Sequence, residues 1–303
     1  MLDVAPCDNA PSPSVGNARA YQREMRPLRD EIGVCSWSFE SAGPGDLARA
    51  CHEAGVRELQ LGLGVLLSGQ WSVAETMEVL DRAGVRAVSG MITTLGEDYS
   101  TLASIRETGG IRLDDTWPAN LEMVESAAVL AERLFLELVT MHAGFLPSTQ
   151  ADGLREKMVG RVRQIADRFA AHGIALGLET GQETAETLLS VLEELSHPGV
   201  CVNFDPANMI LYGAGAPVAA LDVLAGSVRQ IHVKDARAPA EPGAWGKEVV
   251  VGTGDVDWPS LLAVINERRI SCNFMIERYG GASVVDDVAR TRVFLERLLG
   301  TGD

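Results

Sequence analysis

The sequence predicts a single (β/α)8 barrel, a closed parallel sheet wrapped in helices, behind an irregular N-terminal extension. Three observations carry this expectation. Short apolar runs alternate eight times with stretches of helical period between Ile32 and Leu299, the pattern of a parallel sheet with covering helices, and eight units suffice for closure. The chain has 303 residues, 46% of them apolar, enough for one large core. The last four apolar runs end in Glu179, Asp205, His232 and Glu277, groups that are costly at the ends of buried strands unless something pairs with them. An open doubly wound sheet is the runner-up, but no Gly-x-Gly-x-x-Gly turn follows the first strand.

Residues 1–30 are rich in Pro, Ser, Asn and charge without a sustained period, and are expected to form a mobile or draped extension; residues 31–303 form the barrel domain. Ile32–Cys35 is the first strand. Asp46 can cap a helix with Leu47, Ala50, Cys51 and Ala54 on one face, and Gly55 stops it. Val56–Leu61 is the second strand, and Val73, Met77 and Leu80 form a helical stripe ended by Gly84. The third strand covers Val85–Ser89. From Ile92 to Trp117 turn residues accumulate, which predicts a long loop and a candidate lid containing Glu97, Asp98 and Tyr99. A helix over Asn120–Arg133 leads into the fourth strand, Phe135–His142. Leu154, Met158, Val162, Ile165 and Phe169 recur at helical spacing before the fifth strand, which ends at Glu179. Thr184 opens a helix to Leu195, and the sixth strand ends at Asp205. A short helix at Val218–Leu224 precedes the seventh strand, ending at His232. A Gly/Pro-rich loop, Ala236–Gly254, a helix at Trp258–Glu267, the eighth strand ending at Glu277 and a helix at Val284–Leu299 complete the chain.

Groups at the carboxyl ends of barrel strands face the catalytic side of this fold. Glu179, Asp205, His232 and Glu277 end strands that are neighbours in space, so they can share one mouth. Three carboxylates and one imidazole form a hard, oxygen-rich set suited to one divalent ion, with Mn²⁺ favoured over Mg²⁺, Co²⁺ or Zn²⁺. Without a cation, charges converging in this way would repel one another.

The segments Leu178-Glu179-Thr180, Asn203-Phe204-Asp205-Pro206-Ala207-Asn208, Ile231-His232-Val233-Lys234-Asp235 and Ile276-Glu277-Arg278 resemble the metal motifs of the xylose isomerase-like TIM barrel superfamily. The resemblance spans roughly Ile32–Leu299. It implies a metal-dependent isomerase or epimerase of a sugar or sugar phosphate, in which Glu179 and Glu277 bind the metal and act as the acid–base pair on opposite faces of the reacting carbon. The same superfamily holds lyases and dehydratases of keto-sugar, inositol or dehydroshikimate-like substrates, and both reactions begin with proton abstraction beside a carbonyl. It also holds endonuclease IV-type repair enzymes. His142, in Met141-His142-Ala143-Gly144, matches one of their zinc histidines, but Asn208 stands where their motif has histidine, and the Asp-x-His before their last Gly-x-Gly is missing here. His142 is therefore assigned to substrate hydrogen bonding.

Asn208 can bind a substrate hydroxyl or serve the turn after Pro206. Lys234, two residues past His232, points inward and either contacts substrate or neutralises a ligand carboxylate. Trp37, Trp117 and Trp245 can stack on a sugar ring or anchor loops, and Trp37 is placed in the substrate site. The Gly252-Thr253-Gly254 turn with Lys247 could cradle a phosphate. His52, His172 and His197 receive no role.

A net charge of −16 disfavours nucleic acid and anionic membrane surfaces. No apolar run reaches the roughly 18 residues of a membrane span. The N-terminus lacks the apolar core of a signal peptide, and five scattered cysteines suit reduced thiols. The expected location is the cytoplasm. The expected partners are a small sugar or sugar-derived substrate and, for a homo-oligomer, further copies of this chain.

Overall fold

In the computed structural model, residues 32–149, 153–241, 243–281 and 283–300 are described, so the expected extension at residues 1–30 lies outside them. The strands in chain order are β1 (Ile32–Cys35), β2 (Glu58–Gly62), β3 (Arg86–Met91), β4 (Leu138–Met141), β5 (Ala175–Glu179), β6 (Val200–Phe204), β7 (Val228–Val233), β8 (Asp235–Arg237), β9 (Lys247–Val249) and β10 (Asn273–Ile276). Eight of them, β1 to β7 and β10, close into a barrel in which every neighbour pair is parallel. Closure rules out the open sheet.

The helices are α1 (Pro44–Ala54), α2 (Gly64–Leu67), α3 (Val73–Ala83), α4 (Leu102–Thr108), α5 (Trp117–Arg133), α6 (Gly153–Ala171), α7 (Ala185–Leu195), α8 (Pro206–Tyr212), α9 (Pro217–Leu224), α10 (Trp258–Arg268) and α11 (Val284–Leu298). Their apolar stripes lie on the outside of the barrel. On α6, Met158, Val162, Ile165 and Phe169 are buried as their spacing predicts. Each such side chain contributes about 1.5–3 kcal/mol when taken fully out of water. Thr184 caps α7 through a bond from the Thr187 N–H. Asp46 does not cap α1: Gly43 holds the cap position, Pro44 starts the helix, and Asp46 lies in its first turn, where a negative charge suits the dipole.

Four further expectations need correction. Strand β4 starts at Leu138 rather than Phe135, because Phe135 has φ of 57° just after α5 and is 83% exposed. Residues 92–117 are not an unstructured loop. Thr101 and Ser104 form a capping box that starts α4, Ile105 and Ile111 are buried, and Trp117 is already the first residue of α5. Arg161 of α6 donates to the carbonyls of Ile111, Arg112 and Leu113 at 2.7, 3.0 and 3.1 Å, so the second half of the expected lid is pinned to the barrel. Third, the Gly/Pro-rich loop after β7 contains the antiparallel hairpin β8–β9. Finally, Pro206–Asn208 is not a simple turn but the first turn of α8.

The barrel interior is partly polar. Gln60, Ser89, Thr140, Asn203 and Gln230 are fully buried and bonded across strands: Gln60 Nε2 donates to Thr140 Oγ1 (2.7 Å), Ser89 to Gln230 (2.7 Å) and Gln230 to Asn203 (3.2 Å). Paired in this way, they avoid the cost of buried orphan groups. This layer connects directly to the four charged strand ends.

Candidate metal centre

Glu179 is the last residue of β5, His232 lies in β7, and Asp205 and Glu277 directly follow β6 and β10. Parallel strands bring all four to one mouth. One possible ligand atom from each lies within 4.8 Å of the others, and all four residues are at most 4% exposed. His232 Nδ1 sits centrally, 3.4 Å from Glu179 Oε1, 3.2 Å from Glu277 Oε2 and 3.8 Å from Asp205 Oδ2. Asp205 divides its oxygens between two tasks. Its Oδ1 caps α8 by accepting the Asn208 N–H at 2.9 Å. Its Oδ2 is buried and has no hydrogen-bond partner, and His232 Nδ1 is equally orphaned. A buried acceptor without a donor is costly, and two of them converging with two more carboxylates fit one shared cation. The residues therefore could hold a divalent metal ion.

Surrounding groups fix the orientation of each candidate ligand. His232 Nε2 lies 2.7 Å from Gln60 Oε1. Gln60 Oε1 can only accept, so Nε2 carries a hydrogen in this contact, and in the neutral ring Nδ1 is then the lone pair facing the carboxylates. Asn203 and Asn208 donate to Glu179 at 3.2 and 2.9 Å. Trp37 Nε1 donates to Glu277 Oε1 at 2.8 Å, and Lys234 Nζ donates to Glu277 Oε2 at 3.2 Å.

The charges follow from these contacts. Burial pushes Glu277 up, but Lys234 and His232 outweigh it and hold the carboxyl well below its ordinary value. Burial likewise opposes ionisation of Glu179, and the adjacent His142 and His232 carry it below. Asp205 goes the other way, because desolvation outweighs Lys234. Burial would lower His232, yet Glu179 and its neighbours raise it well above its usual value. The cage thus attracts positive charge at its centre, as a cation site must.

The substrate-site candidates singled out from the sequence can now be placed. His142 Nε2 lies 3.3 Å from Glu179 Oε1, while its Nδ1 is buried without a partner. Lys234 Nζ lies against the cluster carboxylates, with Asp205 Oδ2 at 3.7 Å, and also donates to Asn208 Oδ1 at 3.3 Å. Trp37 is held by its bond to Glu277, its ring edge-on to His232 at 6.2 Å. Trp245 stands among mouth aromatics beside Tyr212, whereas Trp117 lies under Arg161 at 4.8 Å. Glu97 and Tyr99 are bonded to each other, and Glu97 also accepts the Gly110 N–H.

The Gly252–Gly254 turn is no phosphate cradle. Its anion is this chain's own Asp235, whose Oδ2 accepts the N–H groups of Gly252 (2.8 Å) and Gly254 (3.1 Å) while Oδ1 accepts those of Ala236 (2.9 Å) and Val256 (3.1 Å). A side chain at Gly254 would meet Asp235 Oδ1 at 2.1 Å.

Gln60, Asn203, Gln182 and Tyr212 were not singled out from the sequence. Asn203 had a signal: it stands two before Asp205 in an otherwise apolar strand, so alternation aims both side chains inward. Gln60, flanked by Leu59 and Leu61, shows the same pattern.

Comparison with known proteins agrees with this architecture. A solved xylose isomerase domain protein from Planctomyces limnophilus superposes with a TM-score of 0.81 and 29% identity, over 88% of this chain and 96% of that one. D-allulose 3-epimerase from Methylomonas sp., solved in complex with D-allulose, gives a TM-score of 0.68 at 16% identity over 88% and 96%, a likeness of fold alone. The 3-dehydroshikimate dehydratase of Bacillus anthracis is 30% identical over 130 residues, 41% of this chain and 46% of that protein. The matches to curated proteins span less than half of those proteins' lengths. The model of the xylose isomerase-like TIM barrel matches residues 48–297, and the chain belongs to that family.

Proposed function

We propose that the chain is a divalent-metal-dependent isomerase or epimerase of a sugar or sugar-derived ketone, working by proton transfer beside a carbonyl. The observation that carries this reading is the pair Glu179 and Glu277. Both are buried carboxylates of one cluster, yet their surroundings differ: Glu179 is held by His142, Asn203 and Asn208, and Glu277 by Trp37 and Lys234.

Glu179, Asp205, His232 and Glu277 would hold the ion, taken here as Mn²⁺ with Mg²⁺, Co²⁺ or Zn²⁺ as the alternatives. The bound ion would supply Lewis acidity to a carbonyl oxygen and a template for the substrate. One glutamate takes the proton from the carbon beside the carbonyl, and the other returns a proton to the opposite face. His142, with its free Nδ1, and Asn208 orient substrate hydroxyls. Lys234 balances the negative charge of the cluster. The four described cysteines are free and buried, and a cytoplasmic location belongs to the same reading.

The test uses E179Q and E277Q, since Gln keeps a carbonyl oxygen for the metal but cannot accept a proton. Each variant should retain Mn²⁺ while turnover of a ketose panel falls by roughly 10²–10⁴-fold. Near wild-type turnover in both metal-loaded variants would end the two-glutamate mechanism.

A second reading, a lyase or dehydratase, is favoured by the partial match to 3-dehydroshikimate dehydratase. It shares the first proton abstraction. Product mass separates the two: an isomerase leaves it unchanged, and a dehydratase removes one water.

A further inference from the structure

Lys234 stands between the end of β7 and the start of β8. It is only 6% exposed, and its ammonium has three N–H groups to place. Two are used by bonds, since Nζ donates to Glu277 Oε2 at 3.2 Å and to Asn208 Oδ1 at 3.3 Å. Another side of the group is covered by a ring: Nζ lies 5.1 Å from the centroid of Tyr279, within reach of a cation–π attraction. Tyr279 itself is 54% exposed. Its ring is therefore the layer between the ammonium and water.

Tyr279 lies in the loop after β10, outside any helix or strand, so its place is set by contacts from elsewhere. Glu248 supplies one of them. Its Oε1 accepts the Tyr279 backbone N–H at 2.8 Å and Arg278 Nη1 at 2.7 Å. Arg278 does not depend on Glu248 alone, because it also donates to Asp287 (3.2 Å) and to the Tyr279 carbonyl (2.8 Å). Removing Glu248 would thus loosen Tyr279 without leaving a stranded guanidinium.

Glu248 belongs to β9, in the two-stranded β8–β9 sheet that stands apart from the closed barrel. Asp235, the residue directly after Lys234, ties the base of that hairpin through its bonds to Gly252 and Gly254. The hairpin therefore grips the chain at two places, beside Lys234 and just past Glu277. These are the two partners of one buried ion pair.

We propose that Glu248 is a positioning residue: by holding the Tyr279 backbone it sets the ring over Lys234, which keeps the ammonium dry and directed at Glu277. Water screens an ion pair, so a covered Lys234 acts on the carboxylate more strongly than a wetted one. The inference rests on the proton-transfer reading above in one respect, that Glu277 is one of its two glutamates. It gives the β8–β9 hairpin, which barrel closure does not require, a part in the site.

The chain has three lysines, Lys157, Lys234 and Lys247, so acetylation of the full chain with acetic anhydride, read by peptide mass spectrometry, resolves each one. Lys157, with 34% of its side chain exposed, is the internal reference. In wild type, Lys234 should react far more slowly than Lys157. E248A removes a charge-assisted bond and should raise the Lys234 rate relative to Lys157 by at least about tenfold. Y279A removes the ring but keeps the backbone N–H, and should give a similar rise. Both act through one ring, so the double variant should react no faster than Y279A. E248Q keeps an acceptor oxygen and should stay closer to wild type than E248A. Unchanged far-UV circular dichroism and an unchanged Lys157 rate separate a released ring from a lost fold. With Mn²⁺ bound, E248A and Y279A should lower kcat more than they raise KM. The proposal is overturned if Lys234 reacts as fast as Lys157 in wild type, or if neither E248A nor E248Q changes its rate. It is also overturned if the double variant reacts clearly faster than Y279A, or if kcat in both single variants matches wild type. Failure of the proton-transfer reading looks different: wild type would then turn over no ketose although the labelling pattern holds.

Discussion

Gln60 offers a direct test of how the candidate centre is held. Its Oε1 lies 2.7 Å from His232 Nε2, its Nε2 donates to Thr140 Oγ1 at 2.7 Å, and both Gln60 and His232 are fully buried. Replacing it with Leu keeps most of the volume but deletes the acceptor that fixes the imidazole tautomer. His232 can then flip or change tautomer, and Nδ1 no longer presents a lone pair to the carboxylates all the time. Loss of a partner behind a metal-binding histidine typically costs 10–100-fold in affinity, or about 1.4–2.7 kcal/mol. Stability without metal should fall by a further ~1–3 kcal/mol, because the Nε2–H is left buried without an acceptor. Q60E restores an acceptor and should recover most of the metal affinity. Competition titrations with a chelator measure the first number and urea unfolding the second. If Q60L binds Mn²⁺ as tightly as wild type, Gln60 does not orient His232, and the tautomer argument fails.

Two other outcomes follow from the geometry. Asn at Asp235 turns one oxygen into a donor facing two N–H groups, so D235N loses two of four charge-assisted bonds and should cost ~3 kcal/mol or more, read as a lower urea midpoint. An unchanged midpoint would mean that the turn does not depend on Asp235. Glu183 is half-buried, and desolvation pushes its carboxyl from 4.5 up to about 8. Below about 4.5 it is protonated whether the chain is folded or unfolded; as pH rises toward about 8 the unfolded chain ionises first, so its contribution to stability is progressively lost through that window and constant above it. E183Q should therefore gain in melting temperature relative to wild type as pH rises through that window. A difference that does not vary with pH would contradict the raised carboxyl.

The sequence by itself determined the barrel and the four cluster residues. Both are local signals: strand and helix periods recur along the chain, and each cluster residue stands at the end of its own apolar run, as Glu179 and Glu277 do. A parallel barrel converts that chain position into proximity without further information. Capping by Thr184 was legible for the same reason, since the bond spans three residues. Tertiary structure alone decided what each group pairs with. The Trp37 indole meets Glu277, 240 residues away, and His232 meets Gln60 over 172 residues; neither partnership has a local period. The Gly252–Gly254 turn resembled an anion site because its backbone is one, and only the packed loop shows that Asp235 fills it. The stretch after Ile92 looked like a loop for lack of a strong apolar stripe. Its order comes from a capping box and from Arg161, a buried cation on a distant helix that gathers three of its carbonyls. Periodicity reports which face of a segment is buried, whereas hydrogen-bond partners across the barrel depend on which segments closure brings together.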